Sequence, residues 1–251
     1  MSPAGAPFSD HFSGHARAYA EARPHYPDAF IAHVATLAPR HDLAWGCATG
    51  SGQAAVPLAR HFAHLLATDA SAEQLARAEP AARVEYRVAT EDACPAADDA
   101  VDLVTVAQAL HWFRFEAFWA EARRVLAPGG ALAAWTYGNS HVDEGVDAIL
   151  DRYYHARVGR HWPPERRHVE NAYADIALPF AGGRETFAMT QTWSRERYVA
   201  YVATWSATAR ARKLEGVDPL PALVTELATA WPDATEERLV TWPITLVWGR
   251  A

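Results

Sequence analysis

Leu43-Ala44-Trp45-Gly46-Cys47-Ala48-Thr49-Gly50-Ser51-Gly52 passes from a short apolar run into a string of small residues. The run reads as a buried β-strand, and Ser51 to Phe62 as the helix that follows it. Small residues in a strand-to-helix turn let backbone N–H groups approach a ligand closely, and a helix start favours negative charge there. Leu65 to Thr68 reads as a second strand ending at Asp69, and Ser71 with Gln74 forms a capping-box pattern for another helix. A carboxylate at the end of the second strand can accept both hydroxyls of an adenosine ribose. The loop and Asp69 together predict a nucleoside cofactor.

Working outward, Val84 to Ala89 is a third strand and the nearly all-apolar Val101 to Ala107 a central parallel one. Phe115, Phe118, Trp119, Ala122, Val125 and Leu126 keep helical spacing. Pro128, Gly129 and Gly130 predict that helix's stop, and Ala131 to Trp135 a fifth strand. The alternation predicts a doubly wound α/β fold with a mostly parallel sheet. Residues 141–183 are helical and then rich in proline and aromatics (His161, Trp162, Pro163, Pro164), a pattern expected of a lid or substrate-binding insertion. Phe187, Met189 and Trp193 suggest a sixth strand, Tyr198 to Ala209 a helix, and Asp218 with Pro219 the start of another. Val240, Trp242, Ile244, Leu246 and Trp248 alternate as a final strand, in which Pro243 predicts a bulge or an edge.

Half of the 251 residues are hydrophobic and 21% charged, a globular balance. The 23 basic and 30 acidic residues leave a net charge of −7 without a basic tract, which argues against nucleic acid as partner. No apolar stretch is long enough for a membrane span, and Met1 to Asp10 has no export-signal pattern. Cys47 and Cys94 offer neither a disulfide framework nor metal-ligand spacing, and His141, His155, His161 and His168 have no carboxylate at ligand spacing. The expected setting is cytoplasmic, without a metal.

Gly46, Gly50 and Gly52 match the GxxxGxG spacing of short-chain dehydrogenases, which use a tyrosine and a lysine four residues later. The only lysine is Lys213, and position 209 is Ala209, so a nicotinamide oxidoreductase loses its catalytic pair. The loop also resembles the acidic-x-Gly-x-Gly-x-Gly motif of class I S-adenosylmethionine (SAM) methyltransferases, with Gly46 in the acidic position and Ala48 in that of the first glycine. Further stretches are similar to the type 11 branch of that family, which includes trans-aconitate methyltransferase-like proteins. These are Phe12 to Ala16, Tyr19, Arg23, Pro24, Tyr26 and Pro27; Ala107 to Phe113; Glu121 to Gly130; Trp162 to Arg166; and Thr204 to Ser206.

The resemblance implies a Rossmann-like seven-stranded sheet whose last strand is antiparallel, and methyl transfer from SAM, yielding S-adenosylhomocysteine, to a small acceptor. It divides the chain into N-terminal cofactor-covering helices (1–40), a SAM-binding core (41–140), a lid (141–183) and a C-terminal part completing the sheet (184–251). Asp69, followed by Ala70, would hold the ribose, and Thr90 and Glu91 would flank the adenine. Gly46, Ala48 and Gly50 would line the loop, Ala107 and Gln108 the methionine side, and Tyr19 and Arg23 would cover the pocket. Gly46 departs from the acidic residue, a lost charge-assisted bond of about 1.5–3 kcal/mol; on this alignment Gly46→Asp tightens SAM binding. Ala48 adds a methyl group where φ > 0 is costly, and Pro57 removes a donor from the first helix. These departures keep open a protein that binds SAM or S-adenosylhomocysteine with weak or lost turnover.

His111 is the candidate catalytic residue, as base or orienting group, or else it packs the next helix with Trp112. A carboxylate acceptor needs no base, whereas a hydroxyl or amine does. Trp112 and Trp205 are candidate acceptor walls or core, and Arg166, beside Arg167, a candidate bidentate clamp or solvated surface.

Overall fold

The computed structural model describes residues 23–251. Seven strands form one sheet in the order β3-β2-β1-β4-β5-β7-β6: β1 Leu43–Cys47, β2 His64–Asp69, β3 Val84–Val88, β4 Val101–Ala107, β5 Leu126–Tyr137, β6 Ala181–Ser194 and β7 Glu237–Arg250. The first five are parallel, and β7 runs antiparallel to both β5 and β6. The expected doubly wound, Rossmann-like sheet is present.

Alternation along the strands fills a core on each face. Ala44, Leu103, Ala133, Trp135 and Trp242 belong to one cluster, and Trp45, Val104, Val106 and Leu132 to the other. Within the otherwise apolar β4, Asp102 is fully buried. Its carboxylate accepts from Arg40 and from the backbone N–H groups of Asp42 and Leu43, which fixes the start of β1 against β4.

Several boundaries differ from the sequence expectation. Helix α1 is Asp28–Ala35, and the glycine loop is followed by only a short helix, α2 (Ala55–Leu58). Residues 51–54 are turns, so Pro57 falls in the first turn of α2, where a missing N–H is tolerated. Ser71 caps α3 (Ala72–Leu75), accepting from Gln74 N, while its own N–H donates to Asp69.

Helix α4 (Phe115–Val125) passes directly into β5, so Pro128 to Gly130 lie inside the strand at a register shift opposite Val101 and Leu103. A Cβ on Gly130 would stand 2.8 Å from Ala127 O, so the glycine is a packing requirement there rather than a helix stop. Pro243 makes no bulge but sits where β7 is locally unpaired on one side. The β5 ladder ends at Tyr137 opposite Ile244, and Thr241 bonds His141 on that same side, so the missing donor falls in the gap between them.

The segment before β6 carries α5 (Glu144–Arg152), a π-turn Tyr153–Arg157, a 3-10 turn Gly159–His161 and α6 (Arg166–Glu170); residues 181–183 already belong to β6. The expected single helix at 198–209 is two, α7 (Arg195–Ala203) and α8 (Ser206–Glu215), and α9 is Leu220–Ala230. Among the described residues no helix is long and apolar enough to cross a membrane.

Candidate active site

Beyond β1 the chain turns through left-handed backbone at Ala48 (φ 52°) and Gly50 (φ 57°). Ala48 therefore takes up the conformation that its side chain disfavours. A Cβ on Gly50 would meet nothing within 4 Å, so the loop is open above it. Asp69, 9% exposed, ties the loop to β2: Oδ2 accepts from Gly50 N at 2.8 Å and Oδ1 from Ser71 N at 2.8 Å. Ala70 lies partly buried beside it.

Gly46 is different. It is buried within β1, and a Cβ there would lie 3.7–3.8 Å from Thr49 Oγ1, Leu65 Cδ2 and Thr105 Oγ1. These are ordinary van der Waals contacts, so the backbone has room for a Cβ at the position where the family carries its acidic residue.

After β3, Thr90 is exposed and its hydroxyl donates to Asp92, while Glu91 accepts from Arg114 Nε at 3.0 Å. At the end of β4, Ala107 is followed by Gln108 in left-handed backbone (φ 54°). Gln108 Nε2 donates to Tyr137 O and its Oε1 accepts from Thr136, joining the carboxyl ends of β4 and β5. In sheet order, Asp69, the loop and Gln108 thus occupy the ends of β2, β1 and β4, across the point where the chain's winding reverses.

Next to Gln108 opens a pocket lined by Arg23, His111, Trp112, Tyr137, Gly138, Trp162, Pro163, Arg166, Tyr201, Trp205 and Ser206. It brings together six residues singled out from the sequence: Arg23, Gln108, His111, Trp112, Arg166 and Trp205. Tyr19 lies outside the described residues. Tyr137, Trp162 and Tyr201 were not singled out as site residues. Tyr137 stands two residues beyond the expected end of β5, and Tyr201 is one helical turn before Trp205, a spacing shared by core residues.

Arg166 and Arg167 separate, the first into the pocket and the second to solvent. The Arg166 guanidinium lies 4.6 Å over the Trp162 ring and 5.4 Å over Tyr154, donating from Nε to Tyr154 Oη at 2.8 Å and from Nη2 to Asn139 at 3.3 Å. Among the described residues no carboxylate forms an ion pair with it. Arg23 donates to Tyr137 Oη and lies 5.6 Å over the Tyr201 ring. Trp205 is buried against Tyr153, Tyr154, Trp162 and Tyr201, so it serves the core and the pocket wall together.

His111 and Trp112 sit in a 3-10 turn, Leu110–Trp112, separate from α4. His111 Nδ1 is 3.0 Å from Tyr173 Oη. Burial, followed by the charges of Arg166 and His168, pushes the imidazole down to about 3, so it is neutral at pH 7. Among the described residues no group of His, Cys, Asp and Glu is assembled to hold a metal.

The chain is similar to several known proteins. Residues 43–134 match the methyltransferase domain family. A Dictyostelium discoideum protein named as a methyltransferase is 32% identical over 234 residues, covering 91% of this chain and 89% of its own length. The structure of a type II methyltransferase from Anaeromyxobacter dehalogenans superposes with a TM-score of 0.85 at 39% identity, over 91% of this chain and 97% of that one. The malonyl-[acyl-carrier protein] O-methyltransferase of Dechloromonas aromatica is 33% identical over 135 residues, 53% of this chain and 50% of its own. With its strand order, its glycine loop and Asp69 at the strand ends, and a relative matched along nearly its whole length, the chain belongs to the class I SAM-dependent methyltransferases.

Proposed function

We propose that this methyltransferase acts on a small carboxylic acid held in the aromatic pocket, and esterifies it on oxygen. The observation that carries the reading is Arg166: a guanidinium braced on Trp162 and Tyr154, facing a pocket, with no carboxylate partner among the described residues. Such a group recognises a planar carboxylate well. Trp112, Trp162 and Trp205 offer flat apolar walls for the rest of the molecule. A relative across half of the chain is named for O-methylation of a malonyl group.

The cofactor site fits SAM. Asp69 stands at the end of β2 with its carboxylate tied to Gly50 N and Ser71 N, the place from which a carboxylate would take the two ribose hydroxyls. Ala48 and Gly50 would pass beneath the ligand, Thr90 and Glu91 would stand beside the adenine, and Ala107 and Gln108 would border the methionine end. Arg23 would close the pocket from the N-terminal side. Bound SAM supplies an activated methyl group on a sulfonium, so the protein's task is alignment and exclusion of water.

An ionised acid is already a nucleophile, and a pocket without a base near neutrality is consistent with it. His111, neutral and fixed at Nδ1, acts here as an orienting group. The test is a transfer assay with SAM against panels of carboxylic acids, phenols and amines, with alkaline hydrolysis of the product. Base-labile methyl esters from acids support the reading. Transfer only to phenols or amines overturns it, and tight S-adenosylhomocysteine binding with no transfer at all favours a binding protein without turnover.

A further inference from the structure

Arg166 and Glu170 stand at the two ends of α6, at the i, i+4 spacing that ordinarily lets opposite charges on a helix pair directly. Here the hydroxyl of Tyr154 lies between them, and among the described residues neither forms an ion pair. Tyr154 Oη donates to Glu170 Oε1 and accepts from Arg166 Nε at 2.8 Å. Both directions are fixed by the partners, because a guanidinium N–H can only donate and a carboxylate can only accept. Burial pushes the phenol well above its ordinary value, against the lowering by Arg166, so its proton is in place at neutral pH.

The backbone brings Tyr154 there by leaving the α-helical path. After α5 the chain widens into the π-turn Tyr153–Arg157, closed by Val158 N donating to Tyr153 O at 3.0 Å. Two consecutive tyrosines are buried in it: Tyr153 bonds Thr208 on α8, and Tyr154 reaches α6. Trp162 packs on the Tyr154 ring with 4.8 Å between centroids. On Arg166, Nε is thus held by Tyr154 and Nη2 bonds Asn139, while no hydrogen bond among the described residues engages Nη1.

We propose that Tyr154 is a positioning residue whose hydroxyl separates Glu170 from Arg166, so that the carboxylate supports the guanidinium through Nε and leaves its Nη1 end for the acceptor. A direct Arg166–Glu170 pair would occupy the fork that takes a carboxylate. A guanidinium with no counter-charge in a partly buried pocket would be costly. The interposed phenol avoids both. Selectivity for an acid rests on the proposed acceptor site; the interposed hydroxyl concerns the protein alone.

The two parts are tested separately. In ¹H–¹⁵N spectra of the full-length protein without substrate, with the Arg166 signal assigned by its loss in Arg166→Met, Nε–H should exchange slowly with water at about pH 6. Fast exchange overturns the proposal even if Tyr154→Phe fails to fold. In a crystal structure of Tyr154→Phe, Arg166 and Glu170 should pair directly, within about 4 Å; side chains that stay apart overturn it. With an acid substrate identified, Tyr154→Phe should raise the acceptor KM about tenfold, with kcat and S-adenosylhomocysteine affinity within about threefold. Adding Glu170→Gln should recover most of that loss, by more than Glu170→Gln alters KM in the wild-type background. A packing defect would not be rescued in this way, and equal KM values for Tyr154→Phe with and without Glu170→Gln overturn the proposal. If no acid is methylated but the direct pair forms in Tyr154→Phe, the acceptor reading fails and the separating role of Tyr154 stands.

Discussion

At the glycine-loop end of the cleft, the working atoms come from one β-α-β unit, β1 to Ser71, and most belong to the backbone: left-handed turns at Ala48 and Gly50, with the Asp69 carboxylate as their anchor. At the pocket end, the walls come from five separate stretches, around Arg23, Gln108 to Trp112, Tyr137, Trp162 to Arg166 and Tyr201 to Ser206, and nearly all the contacts are side chains. A backbone-built site tolerates many residue identities but depends on its anchor. A side-chain-built site can change specificity one residue at a time while the fold stays the same. The two ends should therefore respond to different substitutions.

The largest expected effect is at the anchor. Asp69→Ala removes the acceptor for Gly50 N and Ser71 N, and S-adenosylhomocysteine affinity by calorimetry should fall more than about a hundredfold, roughly 3 kcal/mol. A change within threefold would show that the loop holds its shape without the carboxylate. Gly46→Asp comes next: a carboxylate placed at this buried position should cost about 2–3 kcal/mol in stability by urea denaturation when no cofactor is bound. Tighter cofactor binding by a stable Gly46→Asp protein would put that side chain beside the ligand, as the resemblance implies.

At the other end, Arg166→Met should raise the acceptor KM about thirtyfold, near 2 kcal/mol, with S-adenosylhomocysteine affinity unchanged. If both constants move together, the two ends are not separable. The last effect is in acid stability and is read as a slope against pH. His111 is neutral in the folded protein down to about pH 3, whereas its unfolded value lies near 6.5. Below pH 6.5 the unfolded chain takes up the proton first, so this stabilising contribution is full above pH 6.5 and shrinks as pH falls towards 3, by up to about 1.4 kcal/mol per pH unit. Denaturation midpoints between pH 7 and 4.5 should fall less steeply in His111→Gln than in wild type.

The same contrast explains what could be read without a structure. Short apolar runs located the parallel strands and alternation the final one, since both are local properties of the chain. Helix ends were less legible. Pro128 to Gly130 looked like a stop because proline and glycine usually are one, but here pairing with β4 carries the chain through them as strand. Tyr201 and Trp205, one turn apart, give the same pattern whether they fill a core or wall a pocket, and here they do both.

The sequence by itself determined the doubly wound sheet, the nucleoside-type loop and the place of Asp69 at the end of the second strand, because each depends on residues close together in the chain. Only the tertiary structure decided that Arg166 faces the pocket while Arg167 faces solvent, that Gly46 is buried, and that Tyr173 reaches His111. Those facts depend on how distant segments dock, and the free energy of docking is spread over many contacts that no local pattern records.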